Sequence, residues 1–250
     1  MTRLRSYIFL TFLFVVTLVA AFFLSPSLLI SEKAARACIT LWAKTILGAL
    51  QLICGISYTI EGAENMIDGG AIVAANHQSM WETIALYLLL PRPVMVFKKE
   101  LARNPVYRMW AKYAGIAVDR DAGVKAIQAL TKAAEMHIKH GRQVILFPEG
   151  TRVTPGERQP FQPGVAAIYK KIGVRCLPIA HNSGCHWQHP GPLKVPGKIT
   201  VKILPEIAPG MKRKEFTQKL ENVICDARPD LQPQKDHSFG SQAHEALSQA

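Results

Sequence analysis

At 250 residues the chain can bury a substantial core, and its length favours one domain with appendages over two full domains. A formal net charge of +12 on an apolar-rich composition calls for an anionic partner: phosphate, nucleic acid or a membrane surface. The five cysteines (Cys38, Cys54, Cys176, Cys185 and Cys225) are odd in number and scattered, which speaks against a disulfide framework and for a reducing compartment.

In chain order, "YIFLTFLFVVTLVAAFFL" (7–24) carries no charge over about 18 residues, roughly 27 Å as a helix and close to the hydrocarbon thickness of a bilayer. It reads as a membrane segment: the run is longer than a signal-peptide core, and no clear small-x-small cleavage site follows. Residues 33–53 are apolar with a polar stripe of Arg36, Thr40, Lys44 and Gln51 at helical spacing, the pattern of an interfacial helix. Lys and Arg flank the first segment on both sides, which fits a hairpin dipping into one leaflet and leaves a single span open. Residues 1–54 are therefore expected to form a membrane-anchoring unit.

From residue 55 the pattern changes to short apolar, β-rich runs at 56–62, 71–76, 93–99, 116–118, 143–148, 175–181 and 198–204. Amphipathic helices are expected at 79–90, 105–113, 122–140, 164–172 and 212–227. This alternation predicts an α/β domain over 55–228, with a mostly parallel mixed sheet flanked by helices. Sites in such sheets collect at the carboxyl ends of the strands. Residues 229–250 mix Gln, Ser, Pro, His and Asp without an apolar period, and read as a flexible tail.

Three polar clusters follow strands. In "NHQSMWE" (76–82), His77 and Glu82 can form a base and its carboxylate partner, since a carboxylate on one ring nitrogen fixes the tautomer and readies the other nitrogen for a proton. The rival is a capping box, with Ser79 as N-cap and Glu82 reaching back to the Ser79 amide; both roles can coexist. In "FPEGTR" (147–152), Gly150 permits a tight turn and Arg152 offers a fork suited to phosphate, against the plainer reading of a surface turn with a Glu149–Arg152 ion pair. In the basic run 97–121, Lys98 and Arg120 stand at or just past strand ends and are the best phosphate candidates.

Nucleic acid is not expected as a partner, because the basic run shows no recognisable reading helix and the apolar N-terminal segment points to a membrane instead. "HNSGCHWQH" (181–189) has the content of a metal cluster but no familiar zinc spacing, and no metal is expected there. Neither a GxSxG elbow nor a phosphate-binding or dinucleotide glycine motif is present.

"NHQSMWE", "KKEL" with "GIAVDRD", "FPEGTR" and "CLPIAHNSG", in that order and at these separations, resemble the four blocks of the glycerolipid acyltransferases. The resemblance covers roughly 56–204 and extends to the preceding apolar helices. It implies a glycerol-3-phosphate acyltransferase-like fold. The activity implied is acyl transfer from acyl-CoA or acyl-carrier protein to the sn-2 hydroxyl of lysophosphatidic acid, giving phosphatidic acid, without a cofactor. It makes His77 the general base and Glu82 its partner; Arg120, Glu149, Gly150, Thr151 and Arg152 form the acceptor site, with Lys98 adding positive charge. It also implies a membrane-associated enzyme, with the catalytic domain on the cytoplasmic side of the inner (plasma) membrane and membrane lipids as partners.

The main departure from the family pattern is at Glu82, where His-x4-Asp is usual; Ala117 and Val118 also stand where larger apolar residues are common, a mild difference in packing. Three alternatives stay open: another lysolipid (a lyso-aminolipid or lysophospholipid), glycerol 3-phosphate, or a non-enzymatic protein that binds anionic lipid.

Overall fold

The computed structural model describes residues 1–23, 31–103, 108, 111, 113–119 and 122–232. Two long helices open the chain, α1 (Thr2–Phe23) and α2 (Glu32–Cys54), each long and apolar enough to cross a membrane by length and composition. Ser31 caps α2 by accepting the Ala34 amide at 3.1 Å, and Gly55, in the left-handed region at φ 68°, ends it on the Gln51 carbonyl. The two helices lie antiparallel: Trp42 Nε1 donates to Thr17 Oγ1 at 3.2 Å, while the Cys54 thiol meets the Arg5 carbonyl at 3.7 Å near the other end.

Among the described residues seven strands follow: β1 (Ile56–Glu61), β2 (Ala71–Ala75), β3 (Pro93–Lys98), β4 (Gly115–Val118), β5 (Gln143–Leu146), β6 (Cys176–His181) and β7 (Gly197–Ile203). They form one sheet in the order β1-β7-β6-β2-β5-β3-β4. The five strands from β6 to β4 are parallel, and β7 runs antiparallel to β6 and parallel to β1, so the sheet is mostly parallel and mixed, as expected. The central strands β2, β5 and β6 are buried at every residue, which is why they read as continuous apolar runs rather than alternating ones.

Helices cover both faces: α3 (Trp81–Leu89), α4 (Gly123–Lys139), α5 (Pro163–Ile172), the short α6 (Ser183–His186) and α7 (Arg213–Ala227). Alternate strand residues divide between two cores, as a pleat requires. Val73, Ala75, Ile145 and Ile179 pack with α1, α2 and α3, whereas Ile72, Ala74, Val144 and Ala180 pack with α4, α5 and α7.

The hairpin of α1 and α2 is docked on the α/β domain at both ends. Near the start of α1, the Phe9 ring meets Trp187 edge-on at 5.4 Å, and Ser6 Oγ accepts the Lys194 amide at 2.9 Å. At the start of α2, Glu32 pairs with Arg92 at 3.6 Å and Arg142 at 3.8 Å. The outer face of α1, including Phe14, Leu18 and Phe22, is exposed.

Some boundaries differ from the sequence reading. The strand expected at 143–148 stops at Leu146, because the chain turns there: the Gly150 amide donates to the Phe147 carbonyl at 3.0 Å, with Gly150 at φ 71°. Most of the helix expected at 105–113 lies outside the described residues. The tail expected from residue 229 begins too early: Pro229–Leu231 is a 3₁₀ turn with the Asp230 side chain buried against the domain, and residues beyond 232 lie outside the described ones.

Candidate active site

Register brings the expected residues to one edge. Met95 of β3 pairs with Ile145 of β5, which pairs with Val73 of β2, and Ala75 pairs with Ile179 of β6. The residues just past these strands (His77, Glu149 and Asn182) therefore emerge side by side at the carboxyl ends of parallel strands. Asn76 locks the edge: its side chain accepts the His181 amide at 2.9 Å and donates to the His181 carbonyl at 3.0 Å.

His77 donates from Nδ1 to Oε1 of Glu82 at 2.8 Å. Its ring stacks on Phe147 at 4.2 Å, and its carbonyl accepts the Val153 amide at 2.8 Å. The ring is thus held along one edge, on one face and at its backbone. Nε2 is left toward the opening, where 14% of the side chain is exposed.

Glu82 is completely buried and takes five donors. Oε1 accepts from His77 and from the amides of Gln78 and Ser79, each at 2.8 Å. Oε2 accepts the hydroxyls of Ser79 at 2.7 Å and Ser183 at 2.6 Å. The cap and the pairing with histidine therefore coexist on one oxygen, while the other is held by serines. Ser79 Oγ in turn accepts the Trp81 amide at 3.0 Å, which places the first turn of α3 two residues after Ser79.

Burial pushes the Glu82 carboxyl up, but the nearby His181 and His77 and the hydrogen bonds outweigh it and hold the group below the ordinary carboxylate range. His181 is itself held below the usual imidazole range, chiefly by burial, with the Glu82 carboxylate acting against that shift.

Glu149 behaves in the opposite way. Burial raises its carboxyl to about 7, and the nearby amides of Glu149 and His77 and the field of Arg228 recover only part of the cost. Those amides do not close a hydrogen bond, and both carboxyl oxygens are buried without one. Glu149 sits at 3% exposure beneath the turn, and the ion pair considered between it and Arg152 does not form.

Arg152 instead places Nη1 3.2 Å from both ring nitrogens of His189. Thr151 is exposed on the same turn. Lys98 ends β3 on the same edge, two strands or roughly 10 Å from β2. It is exposed and pairs with Glu100 at 3.7 Å. Arg120 lies outside the described residues.

The loop 181–189 does not assemble as a cluster: His181 is buried at the end of β6, His186 Nδ1 meets the Val195 carbonyl at 3.2 Å, and His189 turns to Arg152. Among the described residues no three His, Cys, Asp or Glu side chains come together to hold a metal.

An apolar cavity of about 270 Å³ opens between the hairpin, α3 and the ends of β3 and β4, with Ala20, Trp42, Ile84 and Phe97 in its walls. Met80 and Thr83, which flank Trp81 and Glu82 in the chain, also line it. Its polar groups are turned inward on themselves: Thr83 donates to the Met80 carbonyl and Tyr87 to the Ala114 carbonyl. Such a cavity suits a hydrocarbon chain.

Sequence reading passed over Ser183, which stands in the quoted "CLPIAHNSG" block, and weighed His189 only as a member of the histidine-rich run, not as a partner of Arg152. Both are placed by pairing between distant segments, which local spacing does not report.

The Acyltransferase family model matches residues 57–182. The chain is 32% identical over 219 residues to the 1-acyl-sn-glycerol-3-phosphate acyltransferase of Pseudomonas aeruginosa, covering 85% of this chain and 84% of that protein. It is 30% identical to the enzyme of the same name from Cocos nucifera, covering 73% of this chain and 61% of that one. The crystal structure of the 1-acyl-sn-glycerophosphate acyltransferase of Thermotoga maritima superposes with a TM-score of 0.79 at 23% identity, covering 95% of this chain and all of that one, so the two share a fold.

Proposed function

The chain belongs to the acyltransferase family, and from that premise we propose that it acylates the sn-2 hydroxyl of lysophosphatidic acid, taking a fatty acyl group from acyl-CoA or acyl-carrier protein to give phosphatidic acid. The observation that carries this reading is the His77 ring, held from Nδ1 by the buried Glu82 carboxylate with Nε2 left toward the opening.

With Glu82 ionised, Nδ1 carries the proton and Nε2 holds the free lone pair. As the acceptor hydroxyl oxygen attacks the thioester carbonyl carbon, Nε2 takes its proton, and Glu82 stabilises the imidazolium that forms. The tetrahedral intermediate then expels the thiolate: the carbon–sulfur bond breaks, and Nε2 returns the proton to sulfur.

Arg152 supplies the anchor for the acceptor phosphate. Its present partner, the His189 ring, is one that a phosphate displaces readily, because a phosphate brings opposite charge and two oxygens to the guanidinium fork where the ring offers one neutral acceptor. Thr151, the Gly150 turn, Lys98 and Arg120 complete the anion-binding pocket by their family positions, and Glu149 supports the turn from beneath. The cavity beside α3 takes the acyl chain. The exposed apolar face of α1 and the surplus of basic residues seat the enzyme on an anionic leaflet, with the catalytic domain on the cytoplasmic side of the inner membrane.

The test is an acceptor panel: purified protein in mixed micelles, with both donors, against lysophosphatidic acid, a zwitterionic lysophospholipid, a lyso-aminolipid and glycerol 3-phosphate. Phosphatidic acid is the expected main product. Transfer confined to acceptors without a phosphate monoester would overturn the reading.

A further inference from the structure

We propose that Arg228 and Asp230, at the turn that follows α7, are positioning residues for the acyl transfer, holding the His77 turn and the Glu149–Arg152 turn in register. The inference rests on the acyl-transfer reading of His77.

The two side chains are sealed from solvent, at 1% and 2% exposure. Two buried charges are tolerated only when paired and fully hydrogen-bonded, and these are. Arg228 donates from Nη2 to Asp230 Oδ2 at 2.6 Å and from Nε to Oδ1 at 3.2 Å, a two-pronged pair. Their remaining bonds go outward to the two turns. Asp230 Oδ2 also accepts Gln78 Nε2 and the Gly156 amide, each at 2.9 Å, while Arg228 Nη1 donates to the Glu157 carbonyl at 3.0 Å.

Gln78 stands directly between His77 and Ser79. Gly156 and Glu157 follow the "FPEGTR" turn, whose next residue, Val153, already bonds the His77 carbonyl. One carboxylate oxygen therefore ties the residue after His77 to the loop after Arg152. The space around this bridge is closed as well. Gln78 Oε1 accepts the Gly184 amide at 3.1 Å, and a Cβ on Gly184 would stand 2.9 Å from Gln78 Cβ and 2.8 Å from Pro155 Cγ. The Arg228 field also reaches the Glu149 carboxyl.

A buried ion pair is a poor device for stability alone, because apolar packing of the same volume does as well or better. Its bonds to both turns give it a use that apolar packing lacks. The pair also stands outside the stretch matched to the family, 57–182, and sequence pattern alone places Arg228 at the last residue of the domain and Asp230 in the tail.

Breaking and remaking the bridge from Gln78 tests the proposal. Gln78→Glu removes the donor and sets two carboxylates against each other. Combining it with Asp230→Asn restores a hydrogen bond of reversed polarity and leaves one negative charge beside Arg228. Steady-state kinetics with lysophosphatidic acid on the folded fraction, judged by circular dichroism, should show kcat of Gln78→Glu lowered about 10- to 100-fold with the acceptor KM within about threefold, the effect of a misplaced reacting group. The double variant should recover most of kcat.

If Gln78→Glu does not fold, Gln78→Ala removes the bridge without adding charge and carries the same kcat test. Unchanged kcat in these variants, or losses that simply multiply in the double variant, would overturn the positioning role and leave the acyl-transfer reading intact. Absence of transfer by the unaltered enzyme would overturn both.

Discussion

At the scale of single residues, Glu82 and Glu149 are carboxyls of one site driven in opposite directions by what surrounds them. Five donors keep Glu82 ionised, so its contribution to stability is present above the ordinary glutamate value of 4.5 and is lost as pH falls below it toward the depressed folded value. Glu149 has no such donors and rises from 4.5 to about 7. Below pH 4.5 it is protonated in both folded and unfolded chains and makes no difference; as pH climbs to 7 only the unfolded chain ionises freely, and the fold bears a growing cost. At about 1.4 kcal/mol per tenfold change in proton affinity, that cost reaches about 3 kcal/mol above pH 7. Glu149→Gln should therefore be more stable than the unaltered protein by about that amount at pH 8 and equal to it near pH 4, measured by denaturant unfolding. Equal stability at both pH values would show that Glu149 ionises normally.

At the scale of elements, the extra methylene of Glu82 has a structural counterpart. Shortening the side chain to Asp draws the carboxylate back by about 1.5 Å, one bond length. The amides of Gln78 and Ser79 lie on the same turn and can follow it. Ser183, delivered by the start of α6 from the other side of the site, cannot. Glu82→Asp and Ser183→Ala should each lower kcat about tenfold, the worth of one hydrogen bond to a charged group, and together they should lower it no further. Additive losses in that cycle would mean that the two residues act separately. The same elements mark how far the sequence could be read. β2, β5 and β6 announce themselves because a strand buried on both faces must be apolar throughout, and His77 with Glu82 is legible because the two stand only five positions apart. Ser183, 101 positions away, meets Glu82 only through the β2–β6 pairing, and Asp230 reaches Gln78 across 152 positions. Composition alone puts Asp230 in a tail, and only its buried pair with Arg228 shows that the domain extends to it.

At the scale of the whole molecule, the hairpin and the α/β domain form one construction. Phe9 on Trp187 at one end and Glu32 on Arg142 at the other fix α1 and α2 against the sheet, so the exposed face of α1 and the mouth of the site are set relative to each other. The apolar cavity lies in the seam between hairpin and domain, beside Met80 and Thr83 of the turn that carries Glu82, which is the place the proposed reaction gives to the acyl chain. Charge patterning made the hairpin legible, whereas the cavity needed the packing of α1 and α2 on α3. The proposed reaction makes Nε2 of His77 the group that takes the proton from the acceptor hydroxyl. The most direct measurement compares phosphatidic acid formation by the unaltered enzyme and by His77→Ala, at saturating lysophosphatidic acid and acyl donor, with binding to anionic vesicles as a control for the fold. Loss of turnover by about 10³-fold or more with vesicle binding retained is expected. Turnover within a few-fold of the unaltered enzyme would contradict His77 as the base.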